Sequence, residues 1–306
     1  MFVARETVAT LRLSLQAAIS ACGTTPADIA VLVNGNEPLA QEAIGIVNGL
    51  DALPPGCRVQ LWNIAPGDKA HAWNVFVHQI AVDADLCFFI DGYVQVWPDA
   101  LRLLADAVAA RPDARAATGV PTVGRSAAAL RCKMLASGGL HGNLYVFPRV
   151  VMEALQNRGF RLPVGLYRND SLLGALCNYD LDPASATWNT QRVLVHPEVS
   201  WGLQENHVSA LGWLSGQFKR RLRQAQGELE NVAVRDHFSI KKLPPETLPA
   251  TVNALVCDWI ARNPAQAARV YRRDPLTRLA YRKLRRTPAP DLAAERVVLL
   301  ASRVTA

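Results

Sequence analysis

The residues best placed to do chemistry are carboxylates that end apolar runs. Leu86-Cys-Phe-Phe-Ile-Asp91-Gly-Tyr93 stops on one acid, and Trp97-Pro-Asp then reads as the start of a helix. A carboxylate there is desolvated on one side and open on the other. It can hold a ribose hydroxyl or a divalent cation carrying a diphosphate. The same spacing suits a turn or a helix cap, because Gly92 follows. A second acid comes late, in Asn169-Asp170, after the apolar loop Leu162-Pro-Val-Gly-Leu-Tyr-Arg168. An Asp in that place can take a proton from an acceptor hydroxyl, or it can cap a helix. Lys69 and His71 follow Pro66-Gly-Asp and open a further helix. A helix start with a Lys suits phosphate, and a solvated first turn is the plainer reading.

Other motifs carry less. Gly138-Gly-Leu-His-Gly142 lets backbone approach a ligand closely, but it is neither a dinucleotide fingerprint nor a P-loop. His141, His196 and His207 fall in loops or at helix starts, and no two histidines have the spacing of a helical metal pair. Asp180-Leu-Asp182 is a literal Asp-x-Asp, yet it lies in a segment of loop composition with no strand before it. The absence of Gly-x-Ser-x-Gly disfavours a serine hydrolase, and the absence of Gly-x-Gly-x-x-Gly disfavours a dinucleotide oxidoreductase. A nucleotidyltransferase would need a glycine-rich, cationic loop after the first strand, and none is visible.

The elements that must position these residues alternate. Apolar runs at 28–34, 58–64, 85–91 and 116–120 predict strands, and the segments 5–21, 38–50, 66–82 and 98–110 predict helices. This alternation implies an α/β domain with a mostly parallel sheet covered on both faces. Ligands sit outside the carboxyl ends of such strands. Asn34, the 65–69 turn and Asp91 would share that edge. Residues 121–140 read as a loop, 144–147 as a strand, and a helix begins at Pro148. His207–Leu229 reads as a helix, and Pro244, Pro245 and Pro249 mark a boundary. Two domains follow from this, 1–243 and a helical, basic extension at 244–306, with helices at 246–262, 265–286 and 292–304.

Bulk composition narrows the class. The chain has 306 residues, half of them apolar, which is enough for one large core. Its net charge of +7 is concentrated, because residues 261–286 hold nine Lys/Arg against one acid. The body is therefore near neutral and is no nucleic-acid footprint. The basic segment carries Val270, Tyr271, Leu276, Leu279, Tyr281 and Leu284 between its cations. It can be a surface helix packed on the domain, or one that meets an anionic membrane through residues 262–286. Six scattered cysteines without a Cys-x-x-Cys suit a reducing compartment and argue against zinc. No signal peptide and no membrane-spanning run are read in the chain. The expected location is the cytoplasm, with a peripheral place on the inner face of the membrane as an option.

Taken in order, these motifs resemble a family 2 glycosyltransferase of the GT-A fold over about residues 3–225. Val3-Ala-Arg-Glu6 resembles the end of that family's first strand, and Val31-Leu-Val-Asn34-Gly-Asn36 its second, with Asn34 where an Asp usually reads the base. Pro66-Gly-Asp-Lys69-Ala-His-Ala-Trp-Asn74 is similar to the helix start beside the nucleotide. Phe89-Ile-Asp91-Gly-Tyr93 resembles the Asp-x-Asp strand, with Tyr93 in place of the second Asp. Gly138–Phe147 resembles the acceptor-side segment, and Arg168-Asn169-Asp170 the motif that supplies the base. Gln217-Phe-Lys-Arg220-Arg221 is distantly like a Gln-x-x-Arg-Trp.

The resemblance implies an inverting transferase that moves a sugar from a nucleotide diphosphate-sugar to a hydroxyl, in cell-surface glycan or glycolipid synthesis. Asp170 would be the catalytic base, and Glu6, Asn34, Lys69, Asn74, Asp91 and Arg168 would hold the donor. The charge on the leaving diphosphate must be met. Either a divalent cation (Mn2+ or Mg2+) sits on Asp91 with His196 or His207, or Lys69, Arg168 or Arg220 takes its place. The loss of Asp at 34 and 93 also admits a non-catalytic member that binds a nucleotide or glycan.

Overall fold

The computed structural model describes residues 1–50, 53–124, 127–203, 210–288, 290–292 and 295–305, with side chains left out at 210–215. β1 (Phe2–Val3), β2 (Ala27–Asn34) and β3 (Cys57–Ala65) pair in parallel. β4 (Leu86–Ile90), β7 (Leu144–Pro148), β6 (Ala116–Thr118) and β8 (Val193–Val195) form a second row, joined to the first by a parallel bridge between Phe2 and Asp91. Among the described residues, six strands of this continuous surface run one way, and β7 and β10 (Arg296–Val304) oppose them. β5 (Val94–Val96) and β9 (Trp201–Leu203) form a small separate ribbon.

Helices cover both faces. α1 (Val8–Cys22), α2 (Glu37–Asn48) and α4 (Ala100–Ala109) bury Leu11, Leu15, Ile46 and Leu104 with the β2 residues Val31 and Val33. α3 (Lys69–Val75) runs on through a π-helical turn, Phe76–Ile80. With α6 (Arg149–Asn157) and α7 (Asn169–Asn178) it packs on the other face. The centre of that face is Phe89. It stacks on Tyr145 at 4.7 Å and lies among Phe2, Trp73, Phe76 and Phe147.

Four expectations change. Residues 121–140 contain α5 (Ala127–Ser137), which buries little beyond Ala127 and Met134 and so shows no clear apolar stripe. The helix expected over 265–286 is two, α10 (Pro264–Arg273) and α11 (Pro275–Arg286), because Pro275 lacks the amide that would continue the first. α9 (Val252–Arg262) precedes them, and α8 (Ala210–Arg235) is longer than its pattern suggested. The helix expected at 292–304 is instead strand β10, so the C-terminal segment is not wholly helical. It lies antiparallel along β3, with a bulge between Leu299 and Ala301. Its Val297-Val298 pair favours an extended chain, and the open edge of β3 supplies the partner.

Phe89 is the side chain on which β4 depends. Phe89→Ala should lower unfolding free energy by about 3–5 kcal/mol, read from urea denaturation at unchanged slope.

Candidate active site

Asp91 is fixed by backbone on both sides. Its N–H donates to Asn143 O of the β7 approach (3.1 Å), and the next N–H, of Gly92, donates to Phe2 O of β1 (2.7 Å). Gly92 is needed there, because a Cβ would stand 2.7 Å from the Val3 side chain. The Asp91 side chain is 13% exposed and forms an ion pair with Lys69 Nζ. Tyr93 Oη lies within hydrogen-bond reach of the other carboxylate oxygen (3.1 Å) and of Asn143 Oδ1 (3.0 Å), so its single proton is shared between the two acceptors. Burial and the negative charge of Asp91 push the Tyr93 phenol far up, so it stays protonated and donates.

Lys69 reaches Asp91 because Asp68 caps α3. One Asp68 oxygen accepts from His71 N–H (2.8 Å) and the other from Gly165 N–H (3.0 Å), which ties the helix start to the loop before α7. Burial raises the Asp68 carboxyl against those bonds. The turn is tight, and only glycine fits at Gly35, whose φ is +65° and whose Cβ would fall 2.2 Å from Gly67 Cα.

Asp170 stands in the first turn of α7. Its Oδ2 accepts from Gly142 N–H (3.3 Å), the residue before Asn143. The backbone of Asp91 and the carboxylate of Asp170 are thus held by consecutive residues of one segment. His141 precedes that pair, and its ring lies on Trp201 (centroids 4.8 Å apart). Burial lowers the His141 pKa, while the charges of Asp170 and Asp91 oppose this and that of Lys69 adds to it.

The loop carrying Arg168 hangs on Glu230 of α8, which is fully buried. Glu230 accepts from the N–H groups of Tyr167 and Arg168 and from Gln226 Nε2 (2.7–3.0 Å). Burial raises its carboxyl, and these donors pull it back. Glu230 is no candidate from sequence, and His141 is weighed there only as one of three isolated histidines. The glycine turn is the one signal at His141, and Glu230, one of two acids on α8, carries none.

The structure pairs Lys69 with Asp91 and holds Asp170 on the neighbouring residue of the segment that holds Asp91. Glu6 is turned onto backbone, its carboxylate accepting from the N–H groups of Ala4 (2.6 Å) and Arg5 (2.8 Å). Asn34 lies at the same edge but is 5% exposed, with its amide donating to Val3 O (2.8 Å). Asn74 is buried and clamps Leu162 through both its N–H and its C=O (2.7 and 2.9 Å), so it holds the loop. Arg168 turns away over α8. Asp180 and Asp182 pair with Arg115, Arg192 and Arg158. The cysteines are all free thiols.

The residues present fit a resident divalent cation poorly. Asp91 is engaged by an ammonium and a phenol, both donors rather than ligands. Among the described residues no group of three His, Cys, Asp or Glu could hold a metal. His196 accepts from Glu198 N–H on its own loop (3.3 Å), and His207 lies outside the described residues.

No protein-family model and no curated protein matches the chain. Solved structures do. A mannosyltransferase from Pyrobaculum calidifontis, solved with GDP-mannose and Mn2+, aligns over 92% of this chain and 83% of its own, at 16% identity and a TM-score of 0.54. Glucosyl-3-phosphoglycerate synthase from Mycobacterium tuberculosis aligns over 77% of each chain (15% identity, TM-score 0.46). Residues 1–349 of S. aureus TarS align over 93% of this chain and 89% of that one (10% identity, TM-score 0.45). With the mannosyltransferase alignment, the parallel-rich sheet and its helical layers are the GT-A glycosyltransferase fold.

Proposed function

We propose that the protein is an inverting glycosyltransferase that uses a nucleotide diphosphate-sugar. The observation that carries this reading is the anchoring of Asp91 and Asp170 on the consecutive residues Asn143 and Gly142, at the carboxyl edge of a GT-A sheet. The donor would lie over that edge with Asp91 toward its ribose. Asp170 takes the proton of an acceptor hydroxyl, and the acceptor oxygen bonds to the anomeric carbon as the bond from that carbon to the diphosphate oxygen breaks. The electron pair leaves with the diphosphate.

Lys69 stands where that charge develops. The P. calidifontis mannosyltransferase was solved with Mn2+. A cation on Asp91 here would have to displace an ammonium already paired with it. We therefore assign charge neutralisation to Lys69. The cell-surface or glycolipid setting is part of the same proposal. Ala267, Ala280 and Leu284 of α10 and α11 are buried, while Leu279 is 42% exposed. Contact with a membrane would rest on the basic charge, with Leu279 as the one large exposed apolar side chain among the described residues of the two helices.

With a panel of UDP-, GDP- and TDP-sugars, release of nucleoside diphosphate should fall about 10²–10⁴-fold in Asp170→Asn. Donor binding without turnover across the panel would instead favour the non-catalytic reading. Lys69→Met should cost about 10²–10³-fold in kcat with its melting temperature retained. EDTA should leave the wild-type rate unchanged, and a rate restored only by manganese would overturn the role of Lys69.

A further inference from the structure

Arg168 leads away from Asp170 into a second site. Its side chain crosses α8 at Gly227, where a Cβ would stand 2.6 Å from Arg168 Nε. That Nε is buried and has no hydrogen-bond partner. The side chain lines a cleft of about 760 Å³ between α8 and the start of α11, together with Arg221, Arg235, Gln224, Asn231 and Glu228. Among the described residues, Arg221 and Arg235 form no ion pair and no side-chain hydrogen bond. Of the two acids at the cleft, Asp274 is engaged in capping α11, accepting from Leu276 N–H (2.9 Å), and Glu228 remains. Arg272 and Arg273, in the last turn of α10, add to the positive field.

Arg168, which lines the cleft, stands two residues before Asp170 at the start of α7. Its guanidinium lies 5.4 Å from the Tyr167 ring centroid. Planar guanidiniums with unfilled donors recognise phosphate oxygens in pairs. We infer that this cleft holds the phosphate of a phosphate-bearing acceptor whose hydroxyl is presented to Asp170. The inference rests on the transferase reading for the acceptor's role, while the anion site stands on its own residues.

Calorimetric titration with inorganic phosphate tests it. Wild type should bind saturably, and the Arg221→Ala/Arg235→Ala double variant about ten-fold or more weakly. Lys69→Ala should bind phosphate as wild type does, and the double variant should keep wild-type affinity for nucleoside diphosphates. No saturable binding by wild type, or a loss in Lys69→Ala that the double variant does not show, overturns the site. Co-sedimentation with phosphatidylglycerol vesicles separates the sources. Pelleting that the double variant loses assigns a lipid headgroup, and phosphate binding without pelleting assigns a soluble phosphate ester. Phosphate binding through the arginines in a protein that binds no nucleoside diphosphate keeps the anion site and removes the transferase reading.

Discussion

The site depends on one backbone constraint: the end of β4 is pinned between β1 and the approach to β7. β1 is only two residues long, yet Phe2 both bridges to Asp91 and accepts from Gly92. Asn143 holds Asp91 from the other side. A carboxylate on a free loop would lose its place among many rotamers and backbone states. Here its backbone is part of the sheet, so only the side-chain torsions remain to be ordered. The aromatic cluster under Phe89 makes that sheet segment expensive to move, since interiors of this density do not deform smoothly.

The Asp170 side is held differently. The loop 160–168 has no strand of its own, and three polar side chains anchor it, two from α3 and its cap and one from α8. Asn74 of α3 takes Leu162, Asp68 takes Gly165, and Glu230 of α8 takes Tyr167 and Arg168. Burying a carboxylate without partners would cost several kcal/mol, so Asp68 and Glu230 are tolerable only while the loop donates its N–H groups to them. The loop and the acids thus stabilise each other, and Asp170 at its end inherits a fixed position. Glu230 also supplies negative charge beside Arg168, which lets that cation sit against a helix without a direct partner.

The sequence showed the strand-ending acids well and their partners poorly. Asp91 follows an apolar run whose burial any parallel sheet requires, and Asp170 follows an apolar loop into a helix start. Both are visible from local pattern. Asn74 resembles a nucleotide contact in sequence because its helix opens beside the Asp91 edge; only the tertiary arrangement shows its amide turned onto Leu162. Glu230 and the Gly142–Asn143 junction depend on contacts 28 to 63 residues apart, which no local window contains. β10 was read as a helix for the same reason, because its pairing with β3 lies more than two hundred residues away.

The Tyr at position 93 and the Lys at position 69 are best understood together. A second carboxylate in place of Tyr93 would stand beside Asp91 and repel it, and only a strong cation could hold both. A phenol raises no such conflict; it donates to Asp91 and needs no metal to be stable there. One ammonium then suffices to balance the single remaining charge. Lys69 is the more exposed partner, at 39% against 13% for Asp91, so it stands at the mouth while the acid lies within. On the proposed reading an incoming diphosphate would meet the cation first, and an ion pair exposed on its Lys side is weak enough to be shared. Under the proposed reaction, the resting pair keeps Lys69 oriented, and the diphosphate competes with Asp91 for it as charge develops.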